Sequence, residues 1–332
     1  MSANTVNTPS AGKLRAVGRS ASAIGPVLDA HDLVLGVDVG GTTIKAEITD
    51  AEGAVLAAGT VETPRGEAAF EAMLTLGDQL LARLSDDERD RVRRAAVLLP
   101  GVVDADKGIA VFSANVGWRD VEVGPRFTDR WSMPVLIEHD VAAAGWAEWR
   151  FGGGRGRDTV CVIIIGTGIS GTLSVAGKLV RGATGQAGEY GHIALRRTHG
   201  IPCPCGNVGC VETVASAPAI TRAYARRTGR ECGSAAEIFD RLSTDDDAQV
   251  VVDDAVAALA DGLLGVVHAV CPEAIVLGGG LAGAGDALAE RLHDALTDRL
   301  RVIPAPEVVI GDFGARAGLV GAALYARHGA LT

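Results

Sequence analysis

Residues 188–212 read GEYGHIALRRTHGIPCPCGNVGCVE. Cys203, Cys205 and Cys210 lie close together behind two histidines, His192 and His199. Three thiolates and one imidazole are the donor set of a closed tetrahedral zinc site. Such a set leaves the metal little electrophilic power, so a structural clip is expected rather than a catalytic zinc. A disulfide framework is disfavoured, since nothing marks the chain as secreted and Cys161, Cys232 and Cys271 are scattered as core or surface thiols. Two carboxylates, Glu189 and Glu212, flank the loop.

A second kind of chemistry sits in DVGGTTIK, residues 38–45. Gly40 and Gly41 have no Cβ, so backbone N–H groups there can converge on an anion. Thr42 and Thr43 add hydroxyl donors and Lys45 adds charge. Asp38, where a strand ends, is placed to hold Mg²⁺ through water. Gly166, Thr167 and Gly168 offer a second clasp, and Gly278, Gly279 and Gly280 a flat backbone surface for an adenine or ribose. The pattern is neither G-x-x-x-x-G-K-[ST] nor G-x-G-x-x-G, which excludes two common nucleotide folds.

Strands and helices must position these groups. LVLGVDVGG (33–41), TIKAEITD (43–50) and AVLAAGTVET (54–63) read as strands. So do RAAVLLPGVVD (94–104) and VLIEHD (135–140), the latter feeding the helix VAAAGWAEWRF. Apolar residues at helical spacing predict a helix over 66–86. A second unit opens with TVCVIIIGTGISGTLSVAGKLV (159–180) and continues through a long helix at 246–270. The strands EAIVLGGGL and PEVVIGD and a final helix near 314–328 follow. Each half thus starts with a hairpin whose turn is rich in Gly and Thr, which predicts two related α/β domains.

The chain has 332 residues, 48% of them hydrophobic and 4% aromatic, enough for two domains with closely packed cores. A net charge of −10 argues against binding a nucleic-acid backbone. No apolar run reaches the ~18–20 residues of a membrane span, and the polar first 32 residues lack a secretion signal, so a flexible extension on a cytoplasmic protein is expected.

Seven segments in order, GVDVGGTTIK, GVVD, IEHDVAAAGWAE, IIIGTGISG, GATGQAGEYGHI, CPCGNVGCVE and AIVLGGGL, resemble the ROK family of sugar kinases and sugar-responsive repressors from about residue 33 onward. The resemblance implies a two-domain actin/hexokinase-like (ribonuclease H-like) ATPase fold, with sugar and ATP between the domains. It implies an N-terminal domain over 33–140 completed by a helix over 315–332, and a second domain with the zinc loop over 141–314. Asp140 matches the family's catalytic base, which takes the proton of the sugar's primary hydroxyl; from the residues alone it also reads as a helix N-cap. Asn115 matches a sugar-binding residue, and Gly101 brings backbone close to the sugar. Glu189, His192 and Glu212 complete the implied sugar shell, with His192 also the implied zinc ligand. His192 lies one residue further from Cys203 than the family spacing, which leaves His199 as a rival ligand.

The family pattern before the aspartate is Asn-Asp, whereas this chain has His139-Asp140. The resemblance therefore implies an ATP-dependent kinase, with Mg²⁺ and a structural Zn²⁺, acting on the 6-hydroxyl of a glucose-like hexose. His139 opens an alternative acceptor, an amino sugar such as kanosamine or the 7-hydroxyl of a C7-cyclitol. A sugar-responsive repressor is the rival class, but no helix-turn-helix precedes the first strand and the phosphate turn is kept. A homodimer or homotetramer is implied, with no nucleic-acid or membrane partner.

Overall fold

The computed structural model describes residues 27–195 and 200–331. The chain divides into two units. One holds the described residues up to 156 together with 176–180 and 312–331; the other holds 157–175 and the described part of 181–311.

In the first unit, β1 (Leu33–Val39) and β2 (Thr43–Thr49) form an antiparallel hairpin that puts Asp38 opposite Lys45. β3 (Val55–Glu62) pairs with β2, while β4 (Val92–Leu99) and β8 (Val135–His139) run parallel to β1, in the order β3-β2-β1-β4-β8. The apolar runs of β1 and β4 are buried almost without interruption, as strands covered on both faces require. β2 alternates, burying Ile44, Ala46 and Ile48.

Helix α4 (Asp140–Arg150) follows β8 directly, and the chain changes units only at 156–157, beyond the break expected at 140–141. The reason is packing against the last helix, α10 (Ala317–His328). A Cβ on Gly321 of α10 would lie 2.7 Å from the backbone of Ala143 in α4, so glycine lets the two helices approach this closely. Chain segment 28–32 is also held here. Leu28 donates its N–H to the Arg327 carbonyl at 3.1 Å, and the Arg327 guanidinium donates to the carbonyls of Asp29 and Asp32.

The stretch 94–104, expected as one strand, is two. Pro100-Gly101 turns the chain out of β4, and β5 (Val102–Asp104) joins β6 (Ile109–Ser113) and β7 (Trp118–Glu122) in a separate antiparallel sheet. Helix α1 (Glu67–Leu81), the short α2 (Asp86–Asp90) and α3 (Gly124–Trp131) complete the unit. Phe70, Phe127 and Trp131 stack in series in its core.

The second unit repeats the scheme: a hairpin followed by two parallel strands. β9 (Val160–Ile165) pairs antiparallel with β10 (Ile169–Val175); the two-residue β11 (Lys178–Leu179) that follows falls within 176–180, which belongs to the first unit. β12 (Ala274–Gly278) and β13 (Glu307–Ile310) then run parallel to β9. Helices α5 (Glu212–Ala215), α6 (Ala217–Thr228), α7 (Ala235–Asp240), α8 (Asp246–Val270) and α9 (Asp286–Arg299) accompany this sheet. Asp245 caps α8, its carboxylate accepting the N–H groups of Asp247 and Ala248. No helix among the described residues is long and apolar enough to cross a membrane.

Candidate active site

In the first unit the expected residues gather at the carboxyl ends of β1, β4 and β8, where ligands collect on open α/β sheets. The β1–β2 turn is tight: Gly40 donates its N–H to the Thr43 carbonyl at 2.9 Å. Thr63 fastens it from β3's end, with its hydroxyl on the Gly40 carbonyl (2.8 Å) and its N–H on that of Thr42 (3.0 Å). Gly41 and Thr42 are exposed at the tip, free to face an anion. The exposed Asn115 amide lies against Gly41, where a Cβ would come within 3.3 Å of its Nδ2.

Asp38 is mostly buried beneath this turn. Burial, reinforced by the negative charge of Asp140, pushes its carboxyl up to about 6, against the opposing pull of Lys45. Two expected residues, Asp38 and Asp140, therefore share one electrostatic environment. Gly101 has φ +101°, and a Cβ there would strike the Phe112 carbonyl, so glycine is needed to start β5.

Asp140 is the first residue of α4 rather than its N-cap, a position filled by His139. Its Oδ1 still accepts the Val141 N–H at 2.8 Å, and the helix dipole favours a carboxylate there. His139 Nε2 lies 3.1 Å from the same Oδ1. Burial pushes the Asp140 carboxyl up, with His139 and the helix amides opposing. About a quarter of the side chain, 26%, remains open to solvent, so the carboxylate is reachable.

Sequence reasoning missed Gly318, in the first turn of α10. A Cβ there would lie 2.6 Å from Asp38 Cγ. Only the closure of α10 onto β1 reveals this, because nothing near Gly318 in the sequence signals chemistry. Asp38 has a short side chain that can swing away, so Gly318→Ala should cost less than ~1–2 kcal/mol in stability. It should nonetheless displace the Asp38 carboxylate and lower activity by about 10-fold or more, as measured by steady-state kinetics beside thermal melting.

The second unit carries the other expected groups. Gly166 closes the β9–β10 turn by donating to the Gly168 carbonyl at 2.9 Å, and its own carbonyl takes the Ala217 N–H at 3.1 Å. Thr167 and Gly168 are exposed. Gly278 ends the neighbouring parallel strand β12, and Gly279 follows it at φ +81° against the backbone of Ile165, with Gly280 exposed. Both glycine segments thus lie at the carboxyl ends of the neighbouring parallel strands β9 and β12.

The cysteine loop is a small hairpin: Cys203 donates its N–H to Asn207, Gly206 to Cys203 and Gly209 to Ile201. Val211 seats the hairpin on α8, where a Cβ on Gly262 would lie 2.6 Å from Val211 Cγ2. The donor atoms of His192, Cys203, Cys205 and Cys210 all lie within 4.8 Å of one another. Cys205 and Cys210 Sγ are 3.7 Å apart, and Cys203 Sγ lies 3.6 Å from His192 Nδ1. With Zn–S near 2.3 Å, a tetrahedral shell needs S···S edges of about 3.8 Å, so these residues fit zinc. Burial pushes the Cys203 and Cys210 thiols up, and a bound cation is what would hold them as thiolates. His199, the rival ligand, lies outside the described residues.

His192 turns Nδ1 toward the thiols and Nε2 toward Glu189 Oε2, 3.8 Å away. Glu212 Oε1 is 3.1 Å from Cys203 Sγ and 3.4 Å from His192 Nδ1, and its Oε2 borders Gly168. The loop therefore brings Glu189, His192 and Glu212 together.

The ROK family profile matches residues 34–328. Over 318 residues the chain is 32% identical to the glucokinase of Streptomyces coelicolor, covering 89% of this chain and 98% of that one. It is 32% identical over 299 residues to the N-acetylgalactosamine kinase AgaK of a Shewanella species, covering 87% and 95%. Among solved structures, the ROK family glucokinase of Streptomyces griseus in complex with glucose and AMPPNP matches with a TM-score of 0.75 at 30% identity, covering 89% of this chain and 99% of that one.

Proposed function

The chain belongs to the ROK family and is an ATP-dependent sugar kinase, and we propose that its acceptor is the primary 6-hydroxyl of a glucose-like hexose. The observation that carries this reading is Asp140. It is a reachable carboxylate at the carboxyl end of β8, in the same electrostatic neighbourhood as Asp38 and the glycine turn beside it.

Phosphoryl transfer leaves the protein two tasks, positioning the reactants and handling charge and proton. Asp140 takes the proton of the attacking hydroxyl, and burial raises its affinity for that proton above that of an ordinary aspartate. The exposed Gly41 and Thr42, and likewise Thr167 and Gly168, bind phosphate oxygens through their N–H groups, while the Gly40 and Gly166 N–H groups close their own turns and Lys45 adds charge. Gly278–Gly280 borders the nucleoside. Asp38 would hold Mg²⁺, which neutralises the triphosphate when bound. Glu189 and Glu212 accept hydrogen bonds from sugar hydroxyls. In the first unit, Asn115, His139 and the Gly101 backbone offer polar groups to a sugar. Zinc held by His192, Cys203, Cys205 and Cys210 would fix the loop that carries both glutamates. The reading carries with it a cytoplasmic homodimer or homotetramer.

A second acceptor class, amino sugars or C7-cyclitols, is favoured by one observation: an imidazole, larger than an amide, stands beside the base. A coupled ADP-release assay across glucose, mannose, N-acetylhexosamines, kanosamine and valiolone-type cyclitols separates the two. Glucose is expected to lead in kcat/KM by at least ~10-fold, with ³¹P NMR placing the phosphate on O6. An amino sugar or cyclitol leading by orders of magnitude would overturn the hexose assignment.

A further inference from the structure

We propose that His139 is a positioning residue for the base: its Nε2–H holds Oδ1 of Asp140, so that Oδ2 is the oxygen presented to the sugar hydroxyl. This rests on Asp140 being the base and deepens that reading.

The geometry comes from three neighbouring residues. His139 ends β8, and its backbone N–H is bonded to the buried Glu138 carboxylate at 2.9 Å, which fixes the main chain at that point. Its imidazole is largely enclosed, with 18% of the side chain exposed, and Nε2 reaches Asp140 Oδ1 at 3.1 Å. The Val141 N–H binds that same oxygen at 2.8 Å. Two donors on one oxygen fix the plane of the carboxylate. They also draw electron density toward Oδ1 and leave Oδ2 to take the proton.

For Nε2 to donate to an ionised Asp140, a neutral His139 carries its proton there, which makes Nδ1 an acceptor. That nitrogen can then take a hydrogen bond from a second substrate hydroxyl. An amide in this place would offer its groups differently. Glutamine puts its amide nitrogen near the place of Nε2, whereas asparagine reaches only as far as Nδ1. The inference therefore predicts opposite outcomes for two conservative replacements.

The test uses the full-length enzyme with MgATP and whichever sugar it turns over best. His139→Ala is expected to lose ~10–100-fold in kcat, as a misplaced base does, while KM for ATP stays within about 2-fold. His139→Gln is expected to recover kcat to within about 3-fold of the parent, and His139→Asn to stay near the alanine value. Melting temperatures establish that each variant is folded, and Asp140→Asn is assayed alongside. An active Asp140→Asn would remove the base assignment itself. An inactive Asp140→Asn would overturn only the role of His139 if it came with any of three results: unchanged kcat in His139→Ala, a loss confined to KM, or recovery by asparagine but not glutamine.

Discussion

Asp140→Asn is expected to lower kcat by ~10³–10⁴-fold while the sugar dissociation constant, read by calorimetry, moves no more than a few-fold. The asymmetry follows from what asparagine keeps. Its carbonyl oxygen can still accept the Val141 N–H, so the start of α4 survives. The His139 donor also keeps an acceptor. What disappears is a group able to take a proton from an alcohol. Removing the charge should also relieve Asp38, whose carboxyl is held up partly by its neighbour. A melting temperature equal to or above the parent's is therefore expected. Near-parental turnover in a folded Asp140→Asn protein would remove Asp140 from the chemistry.

Metal removal is expected to have the next largest effect. The purified protein should carry about one zinc per chain by elemental analysis, and Cys210→Ser should abolish it. The sugar KM should then rise ~10–100-fold, the scale on which losing a metal's supporting shell is felt. The reason is architectural: Val211 seats the hairpin on α8, and Cys203, Cys205 and Cys210 supply the convergence that sets Glu212 beside His192. Histidine variants separate the ligand assignments. His192→Ala should lose metal affinity, whereas His199→Ala should retain the full complement. A protein free of stoichiometric metal, or a KM indifferent to chelation, would overturn the structural-zinc reading.

Much of this site was legible before any coordinates. The β1–β2 and β9–β10 turns announce themselves because glycine and threonine cluster where apolar strands end, and the cysteine loop because thiols at such spacing have few other uses. The long helix expected at 246–270 forms over Asp246–Val270, and the structure adds its Asp245 cap. The strand over 94–104 misled for a physical reason. Val102 and Val103 are as apolar as the residues of β4, and the turn at Pro100-Gly101, with φ +101° at Gly101, sends them into another sheet. Asp140 read as a cap because helix starts and strand-end carboxylates share one residue preference; its place at the first helical position reconciles the two. Gly318 was beyond reach, since its meaning depends on a contact with Asp38 across most of the chain.

The interleaving of the two units has a consequence for synthesis. Residues 181–311, with 157–175, can assemble their sheet as soon as β13 leaves the ribosome. The half that begins first cannot, because β1 and α4 await α10 and the buried Arg94 awaits the Ala326 carbonyl it donates to. The portion bearing Asp38 and Asp140 therefore matures last. A nascent chain released shortly before Ala317 should display a settled metal hairpin beside an open, protease-sensitive β1–β4 face.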